Sequence, residues 1–190
     1  MRVGLFFGSF NPIHVGHLII ANHILNETDL DRIWMVVSPH NPLKSEQSLL
    51  NEYHRLHLVQ LAVENDPRIK ASDIEFSLPK PSYTCDTLIH LQERYPSYAF
   101  AVIMGGDSFQ NIHRWKNYTF ITQHFPIYVY NRTGHEITNT HDAQLKILDA
   151  PQLPISATEI RALVRAGKSL RYLVPDNVLE EIEQGGYYKK

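Results

Sequence analysis

Two histidines with two residues between them stand in the stretch GSFNPIHVGH, which runs from Gly8 to His17. An apolar run of strand length precedes this stretch and apolar residues at helical spacing follow it, so it predicts a turn from a strand into a helix. His14 would lie just before this helix and His17 in its first turn, where unpaired backbone N–H groups attract anions. Imidazole N–H groups at such a place are suited to binding a phosphate chain.

The glycines and the proline of this stretch fit a ligand-binding turn. Gly8 allows a tight turn close to a ligand, Pro12 stiffens the loop, and Gly16 allows close approach at the start of the helix. The stretch is neither G-x-G-x-x-G nor a P-loop ending in Gly-Lys-Ser/Thr, so we expect neither ordinary dinucleotide binding nor a Walker lysine. Two alternatives are that the histidines only cap or pack, and that they bind zinc, although no convincing third ligand stands nearby.

A second candidate stretch, ISATEIR, runs from Ile155 to Arg161 near the other end of the chain. Its residues Ser156 to Glu159 form a capping-box pattern, which predicts the N-terminus of a helix. Gly167 stands where that helix would end. The alternative to a ligand site here is a plain capped surface helix.

The elements that position these stretches follow from the distribution of apolar residues. Runs of about five residues, rich in Val, Ile or aromatic side chains and bounded by Gly, Pro, Ser or Asn, predict buried strands. Four such runs are Val3–Phe7, Ile33–Val37, Ala99–Met104 and Ile127–Tyr130, and Gln144–Leu148 is a candidate for a fifth.

Helical patterns alternate with these strands. Apolar residues recur at helical spacing in Leu18–Leu25, Leu56–Val63 and Leu88–Leu91, and Asp176–Glu183 predicts a last short helix that stops at Gly185 and Gly186. Strand and helix in repeated alternation predict an α/β fold: a Rossmann-like, doubly wound parallel sheet in three α/β/α layers. Ligands of such sheets bind beyond the carboxyl ends of the strands, where GSFNPIHVGH would lie.

Composition limits the remaining possibilities. The 190 residues, 43% of them hydrophobic, predict a single domain over residues 1–190. Eighteen Lys and Arg residues against twenty Asp and Glu give a net charge of -2, which argues against nucleic acid as the main partner. The single Cys85 favours a reducing compartment, and no stretch approaches the roughly 20 apolar residues of a membrane span. We therefore expect a cytoplasmic protein with no membrane partner, while the sequence leaves its oligomeric state open.

Both candidate stretches resemble signatures of the nucleotidyltransferase superfamily related to class I aminoacyl-tRNA synthetases. The first resembles G-x-F-x-P-x-H-x-G-H, and the matching residues are Gly8, Phe10, Pro12, His14, Gly16 and His17. The second is similar to I-S-S/T-x-x-I-R, with Ala157 in place of the usual second serine. The resemblance implies that Ser156, Thr158 and Arg161 contact the triphosphate of ATP.

Further segments resemble one family within that superfamily, the nicotinate mononucleotide adenylyltransferases. Pro81–Leu88, PSYTCDTL, is similar to their P-S-Y-T-x-D-T-L segment, and Gly105–Phe109 followed by Trp115 resembles their G-x-D segment with its later tryptophan. Pro39–Lys44 resembles their P-P-H-K loop with an insertion, and Asn131–Gly134 resembles their R-P-G turn. The pantetheine-phosphate and glycerol-phosphate relatives share the histidine signature but would not be expected to carry the Ser82–Leu88 and Trp115 patterns.

The resemblance implies a role for each matching residue. His14 and His17 would be catalytic, binding the triphosphate and the transition state. The other implied ATP and phosphate contacts are Gly8, Ser9, Phe10, Lys44, Gly105, Asp107, Ser156, Thr158 and Arg161, with Asp107 near the ribose hydroxyls or the magnesium shell. The implied contacts with the mononucleotide are Tyr83, Thr84, Trp115 and Arg132. Trp115 would stack on the pyridine ring, and Thr84 would hold the carboxylate of that ring. Local alternatives are that Thr84 or Asp86 caps a helix, that Trp115 is a core aromatic and that Lys44 is a surface lysine.

The family resemblance also implies a reaction. ATP and nicotinate mononucleotide would be the substrates, Mg²⁺ would be held mainly by their phosphates rather than by a protein metal site, and nicotinate adenine dinucleotide and pyrophosphate would be formed. Two alternatives remain: a sister adenylyltransferase acting on nicotinamide mononucleotide or another phosphate acceptor, and a non-catalytic nucleotide-binding module.

Overall fold

The protein forms a six-stranded sheet with helices around it. The computed structural model describes residues 1–39, 49–131, 137–139, 141–151 and 153–189. The strands of the sheet are β1 (Arg2–Gly8), β2 (Arg32–Val37), β3 (Ile69–Ser72), β4 (Ala99–Gly105), β5 (Ile127–Tyr130) and β6 (Leu145–Leu148).

All neighbouring strands of the sheet are parallel, in the order β3-β2-β1-β4-β5-β6. The chain moves outward on one side of β1 and returns to begin the other half at β4, so the order reverses between these two strands. Crevices that bind ligands open at such a reversal, beyond the carboxyl ends of the strands. Gly8 and Gly105 end the two strands at this edge.

In the described parts of the chain, seven α-helices connect or follow the strands. They are α1 (Val15–Glu27), α2 (Glu52–Val63), α3 (Thr84–Arg94), α4 (Gly106–Gln110), α5 (Tyr118–His124), α6 (Ala157–Arg165) and α7 (Asp176–Gln184), together with short 3-10 helices at Ile74–Ser77 and Ile112–Arg114.

Two buried apolar clusters, one on each face of the sheet, make the three layers. Helices α1, α2, α6 and α7 contribute to one cluster, and α3, α4 and α5 contribute to the other. Alternate residues of a strand enter different clusters, as Met35 and Val36 of β2 do, because successive side chains point to opposite faces. The predicted α/β doubly wound sheet with helices on both faces is therefore confirmed.

The strands predicted from apolar runs are confirmed, including the fifth candidate, which forms β6 from Leu145 rather than Gln144. Strand β3 and helices α4 and α5 were not anticipated. Strand β3 has only four residues at the edge of the sheet, and two of its side chains are buried, so its sequence lacks a long apolar run. The two helices have five and seven residues, too few to establish a helical period.

The end signals of the last two helices are also confirmed. Helix α6 ends at Arg165, and Gly167 then takes a left-handed φ of 64°, which glycine adopts without strain. Helix α7 ends at Gln184, directly before the two glycines. Among the described residues no helix is long and apolar enough to cross a membrane. The single-domain interpretation and the cytoplasmic location stay predictions.

Candidate active site

The stretch Gly8–His17, called here the histidine turn, leads from β1 into α1 as predicted. His14 is the residue just before the helix, with an extended backbone, and its side chain is 7% exposed. The backbone N–H of His17 donates to the carbonyl of His14 at 3.0 Å. In return, the backbone N–H of His14 donates to Nδ1 of His17 at 3.3 Å. The start of the helix therefore holds the second histidine by its own ring nitrogen.

The two imidazoles lie against each other. Their ring centroids are 3.7 Å apart, and their planes are tilted by 31°. Phe10 supports this pair from the core, with its ring edge-on to that of His17 at 5.1 Å. Because the Phe10 side chain is only 2% exposed, any contact it makes with a ligand must come from its backbone, which has a left-handed φ of 43°.

Close packing explains two glycines of the turn. A Cβ atom on Gly8 would lie 2.8 Å from the Phe10 ring, and one on Gly16 would lie 3.0 Å from Nδ1 of His14. Contacts this short are rarely or never seen, so larger residues would displace the aromatic ring or the first histidine. The glycines thus place the imidazoles, in addition to the close approach to a ligand that the sequence suggested.

The second signature begins α6 with a complete capping box. Ser156 Oγ accepts from the backbone N–H of Glu159 at 3.2 Å, and the Glu159 carboxylate accepts from the Ser156 backbone N–H at 3.0 Å. The Ser156 hydroxyl also donates to this carboxylate at 2.8 Å. The serine predicted to bind phosphate is therefore already engaged by its own helix.

Arg161 joins the two ends of the chain. Its Nη1 donates to the carbonyl of Asn11 in the histidine turn at 2.7 Å, and its Nη2 donates to Thr158 Oγ1 at 3.2 Å. Partial burial lowers the pKa of Arg161, although an arginine remains charged at neutral pH. The contact joins the two signatures through residues that are 150 positions apart in sequence.

The carboxyl end of β4 supplies the next predicted residues. Gly105 ends this strand, and Asp107 lies in the first turn of α4 with its carboxylate exposed. Because β4 pairs with β1, this carboxylate lies on the same edge of the sheet as the histidine turn. An exposed carboxylate there could accept hydrogen bonds from ribose hydroxyls or complete the shell of a metal ion.

A third region holds three of the four residues predicted to bind the mononucleotide, namely Tyr83, Thr84 and Trp115. Tyr83 precedes α3, and Thr84 is the first residue of this helix, so neither Thr84 nor Asp86 is the capping residue. Lys116 ties this region to the loop of Trp115. Its Nζ lies 4.8 Å from the centre of the Tyr83 ring and 2.9 Å from the Asp86 carboxylate. Trp115 is half-buried and packs at the edge of the core, so it is not a fully buried core aromatic.

Two hydroxyls of the same region bind a buried acid. Ser82 and Thr87 donate to the two carboxylate oxygens of Glu75, at 2.8 Å and 2.9 Å. Glu75 is 2% exposed, and burial raises the pKa of its carboxyl group. We call Ser82–Thr87 the serine–threonine segment.

Sequence analysis missed four residues that organise these regions, namely Asn11, Arg55, Glu75 and Lys116. A weak signal exists for two of them: Arg55 precedes Leu58 and Val59 by three and four positions, and Glu75 stands between Ile74 and Phe76. A charged residue on an apolar face indicates a buried polar contact.

Lys44 and Arg132 of the predicted site lie outside the described residues, as do most of the Pro39–Lys44 and Asn131–Gly134 segments that contain them. In the parts of the chain that the structure describes, no three His, Cys, Asp or Glu side chains come together as a metal site.

A family profile agrees with this arrangement of fold and site. The profile of the cytidylyltransferase-like family matches residues 5–163 of the chain, which is most of its length. The chain therefore belongs to the cytidylyltransferase-like family of nucleotidyltransferases.

Within this family, two similar relatives carry the name "Probable nicotinate-nucleotide adenylyltransferase". The one from Flavobacterium psychrophilum is 50% identical over 196 residues, and the match covers 100% of this chain and 100% of the relative. The one from Cytophaga hutchinsonii is 50% identical over 190 residues, with 99% of this chain and 98% of the relative covered. The resemblance to the nicotinate mononucleotide adenylyltransferases is thereby confirmed.

A solved structure supports the fold. Plasmodium falciparum nicotinic acid mononucleotide adenylyltransferase complexed with NaAD matches with a TM-score of 0.83, covering 98% of this chain and 97% of the other. The sequence identity is 21%, so the likeness concerns the fold alone.

Proposed function

We propose that this protein is a nicotinate-nucleotide adenylyltransferase. It transfers the adenylyl group of ATP to nicotinate mononucleotide, which yields nicotinate adenine dinucleotide and pyrophosphate. The names of relatives at 50% identity over the whole chain support this function. The structural observation that carries it is the hydrogen bond from Arg161 to Asn11, which joins the two signatures.

The reaction explains why the site contains cations and helix N-termini rather than a catalytic base. The attacking group is a phosphate monoester, whose second pKa of about 6 leaves it mostly dianionic at neutral pH. It needs no proton removed before it attacks the α-phosphate. The protein must instead hold two anions in line and stabilise the leaving pyrophosphate.

The histidine turn has suitable donors for this task. Nδ1 of His17 accepts a hydrogen bond from the backbone, so a neutral ring carries its proton on Nε2. This Nε2–H can donate to a phosphate oxygen, and the imidazole ring does not need to be positively charged to do so. The tilted ring of His14 places a second imidazole beside it. We assign both rings to the triphosphate and the transition state, with His17 as the more important contact.

The β- and γ-phosphates fit the N-terminus of α6. Arg161 contributes a fixed cation there, Ser156 and Thr158 contribute hydroxyls, and the helix dipole attracts anions. Lys44 would add a point charge. Gly8, Ser9 and the backbone of Phe10 would lie along the nucleotide, as would Gly105.

The residues at the carboxyl edge of the sheet are compatible with a Mg²⁺ ion that is held mainly by the substrate phosphates. This cation keeps several waters and uses one or two carboxylates together with substrate phosphates, so it does not need a cluster of three protein ligands. The exposed carboxylate of Asp107 can supply one oxygen. When bound, Mg²⁺ neutralises charge on the phosphate oxygens.

The acceptor nucleotide fits the region around α3. The indole face of Trp115 suits a positively charged pyridine ring. The N-terminus of α3, with the Thr84 hydroxyl and the Tyr83 backbone, suits the carboxylate of that ring, because helix N-termini favour anions. Arg132 would contact the mononucleotide phosphate. Because these groups favour a carboxylate over a neutral amide, they would select nicotinate mononucleotide over nicotinamide mononucleotide.

A coupled pyrophosphate-release assay tests the function. Purified protein with ATP and Mg²⁺ is given nicotinate mononucleotide, nicotinamide mononucleotide or no acceptor. We expect rapid release with the acid, slower release with the amide and none with ATP alone. Preference for the amide or another acceptor would indicate a sister adenylyltransferase. Nucleotide binding without release under any condition would indicate a non-catalytic module.

A further inference from the structure

Arg55 on α2 is a fully buried charged side chain, with 0% of its surface exposed. Its guanidinium donates to four backbone carbonyls. Nε donates to Leu50 at 2.7 Å, and Nη2 donates to Pro39 at 2.9 Å. Nη1 donates to both Ser9 at 2.6 Å and Ser38 at 2.8 Å. One planar group therefore fixes three separate segments of backbone.

These segments belong to the nucleotide side of the proposed site. Ser9 lies in the histidine turn, Ser38 and Pro39 follow β2, and Leu50 precedes α2. Further backbone contacts tie the same segments together. The N–H of Ser38 donates to Gly8 at 2.9 Å, and the N–H of Leu50 donates to the side chain of Asn11 at 3.1 Å. The position of the histidine turn thus depends on the arginine behind it.

Glu75 has a matching place on the acceptor side. Its carboxylate is buried and accepts from Ser82 and Thr87, the first and last residues of the serine–threonine segment. The Ser38 side chain also acts on this carboxyl group and lowers its pKa, against the larger effect of burial. Tyr83 and Thr84, proposed to bind the pyridine end, lie between the two anchored hydroxyls. The acid therefore fixes the segment from beneath without facing the substrate itself.

Ser38 lies between the two buried charges. Its carbonyl accepts from Arg55, and its side chain lowers the pKa of the Glu75 carboxyl group, so the end of β2 is linked to both residues. We propose that Arg55 and Glu75 are positioning residues, Arg55 for the turn that receives ATP and Glu75 for the segment that receives the mononucleotide. This inference rests on the proposed function and adds two roles that the signatures do not contain.

The two anchors differ in what can replace them. An arginine presents a rigid fork of five N–H groups, whereas a lysine has the charge but only three N–H groups on one atom. Lysine at position 55 therefore cannot serve four carbonyls. Glutamine at position 75 retains one carbonyl acceptor, and its amide can donate to the second hydroxyl, because hydroxyls rotate to accept.

Steady-state kinetics with each substrate varied in turn test the proposal on the full chain. KM is informative here because it does not depend on the fraction of protein that is folded. We expect Arg55→Met and Arg55→Lys each to raise KM for ATP by about tenfold and to leave KM for the mononucleotide within about twofold. We expect Glu75→Met to show the reverse pattern and Glu75→Gln to restore KM for the mononucleotide to within about twofold to threefold.

Milder variants cover the case in which the larger changes prevent folding. Ser38→Ala removes the hydroxyl that acts on Glu75, and Asn11→Ser shortens the side chain that accepts from the Leu50 N–H. We expect about twofold to threefold increases, in KM for the mononucleotide and for ATP respectively. Thermal unfolding is measured for every variant, so that a loss of stability is recorded separately from a change in KM.

Several results would overturn the positioning roles. Lower unfolding temperatures with both KM values unchanged would mean that the two residues only stabilise the fold. Equal increases of both KM values in every variant would mean a common scaffold rather than two half-sites. Recovery of KM for ATP in Arg55→Lys would mean that charge alone acts.

The wild-type protein separates this proposal from the function. If the wild type turns over but the Arg55 and Glu75 variants do not raise KM for different substrates, the positioning roles are overturned and the proposed function stands. Absence of wild-type turnover would overturn the function. In that case calorimetric dissociation constants for a non-hydrolysable ATP analogue and for nicotinate mononucleotide replace KM in the same comparison.

Discussion

The histidine turn and the serine–threonine segment use their characteristic residues in different ways. In the turn, the rings of His14 and His17 lie against each other, Phe10 packs edge-on against His17, and the buried Arg55 binds the backbone behind them at Ser9. In the segment, Ser82 and Thr87 donate to the buried Glu75, and Tyr83 and Thr84 are the residues proposed to meet the substrate. A signature is therefore not a set of ligand contacts, because part of it builds the frame.

Loss of His17 should give the largest effect if the histidine turn acts directly on the reacting phosphates. Replacing His17 by Ala removes one preorganised donor from the transition state. We expect kcat to fall by about two orders of magnitude or more, with the fold intact by circular dichroism. The pyrophosphate-release assay at saturating substrates measures this change.

His23 offers a matched control for this variant. It lies on the same helix α1, is half-buried, and has no proposed role in the site. His23→Ala should retain kcat within about twofold, as surface substitutions usually do. Near-normal turnover of His17→Ala would refute its assignment and, with it, the contrast between the two regions.

Trp115 tests the acceptor side of the comparison. Trp115→Ala removes the ring face proposed to stack on pyridinium, so we expect KM for the mononucleotide to rise by about tenfold to thirtyfold. KM for ATP should stay within about twofold, since ATP is proposed to bind on the other side of the site. The control is Trp115→Phe, which keeps a ring and should fall between the two. An unchanged KM for the mononucleotide would remove Trp115 from this role.

Ser156 combines a structural role with a proposed ligand contact, because its hydroxyl caps α6 and is also proposed to bind phosphate. Ser156→Ala should lower the free energy of unfolding by about 1 kcal/mol, and it should raise KM for ATP by about fivefold. Glu159→Ala breaks the capping box but leaves the hydroxyl in place. It should lower stability without raising KM for ATP. If the two variants raise KM equally, the phosphates depend on the helix end rather than on the serine.

The sequence predicted the histidine turn, α6 and most of the sheet because each depends on local spacing. The capping box, the terminal glycines and the apolar runs all act within a few residues. The anchors behind the site were not predictable in this way. Arg55 binds carbonyls 46 and 17 positions away, and Arg161 binds one 150 positions away. Any residue can supply a carbonyl, so no pattern of side chains indicates these partners.

The smallest expected effect concerns the pH dependence of stability through Glu75. Burial raises the pKa of this carboxyl group in the folded protein above its value in the unfolded chain, even though hydroxyl donors oppose the shift. The folded state therefore holds the proton more tightly. The contribution of Glu75 to stability is fully present below the unfolded pKa, and it is lost as the pH rises through the folded pKa.

Urea unfolding of the wild type and Glu75→Gln from about pH 5 to about pH 8 measures this contribution. Glutamine does not titrate, so the stability of the wild type relative to the variant should decrease as the pH rises. A relative stability that is constant or increases with pH would mean that the hydroxyl groups around Glu75 stabilise its carboxylate more than burial opposes it. The serine–threonine segment would then rest on a permanently charged anchor, like the histidine turn on Arg55, and the two regions would differ less than their contacts suggest.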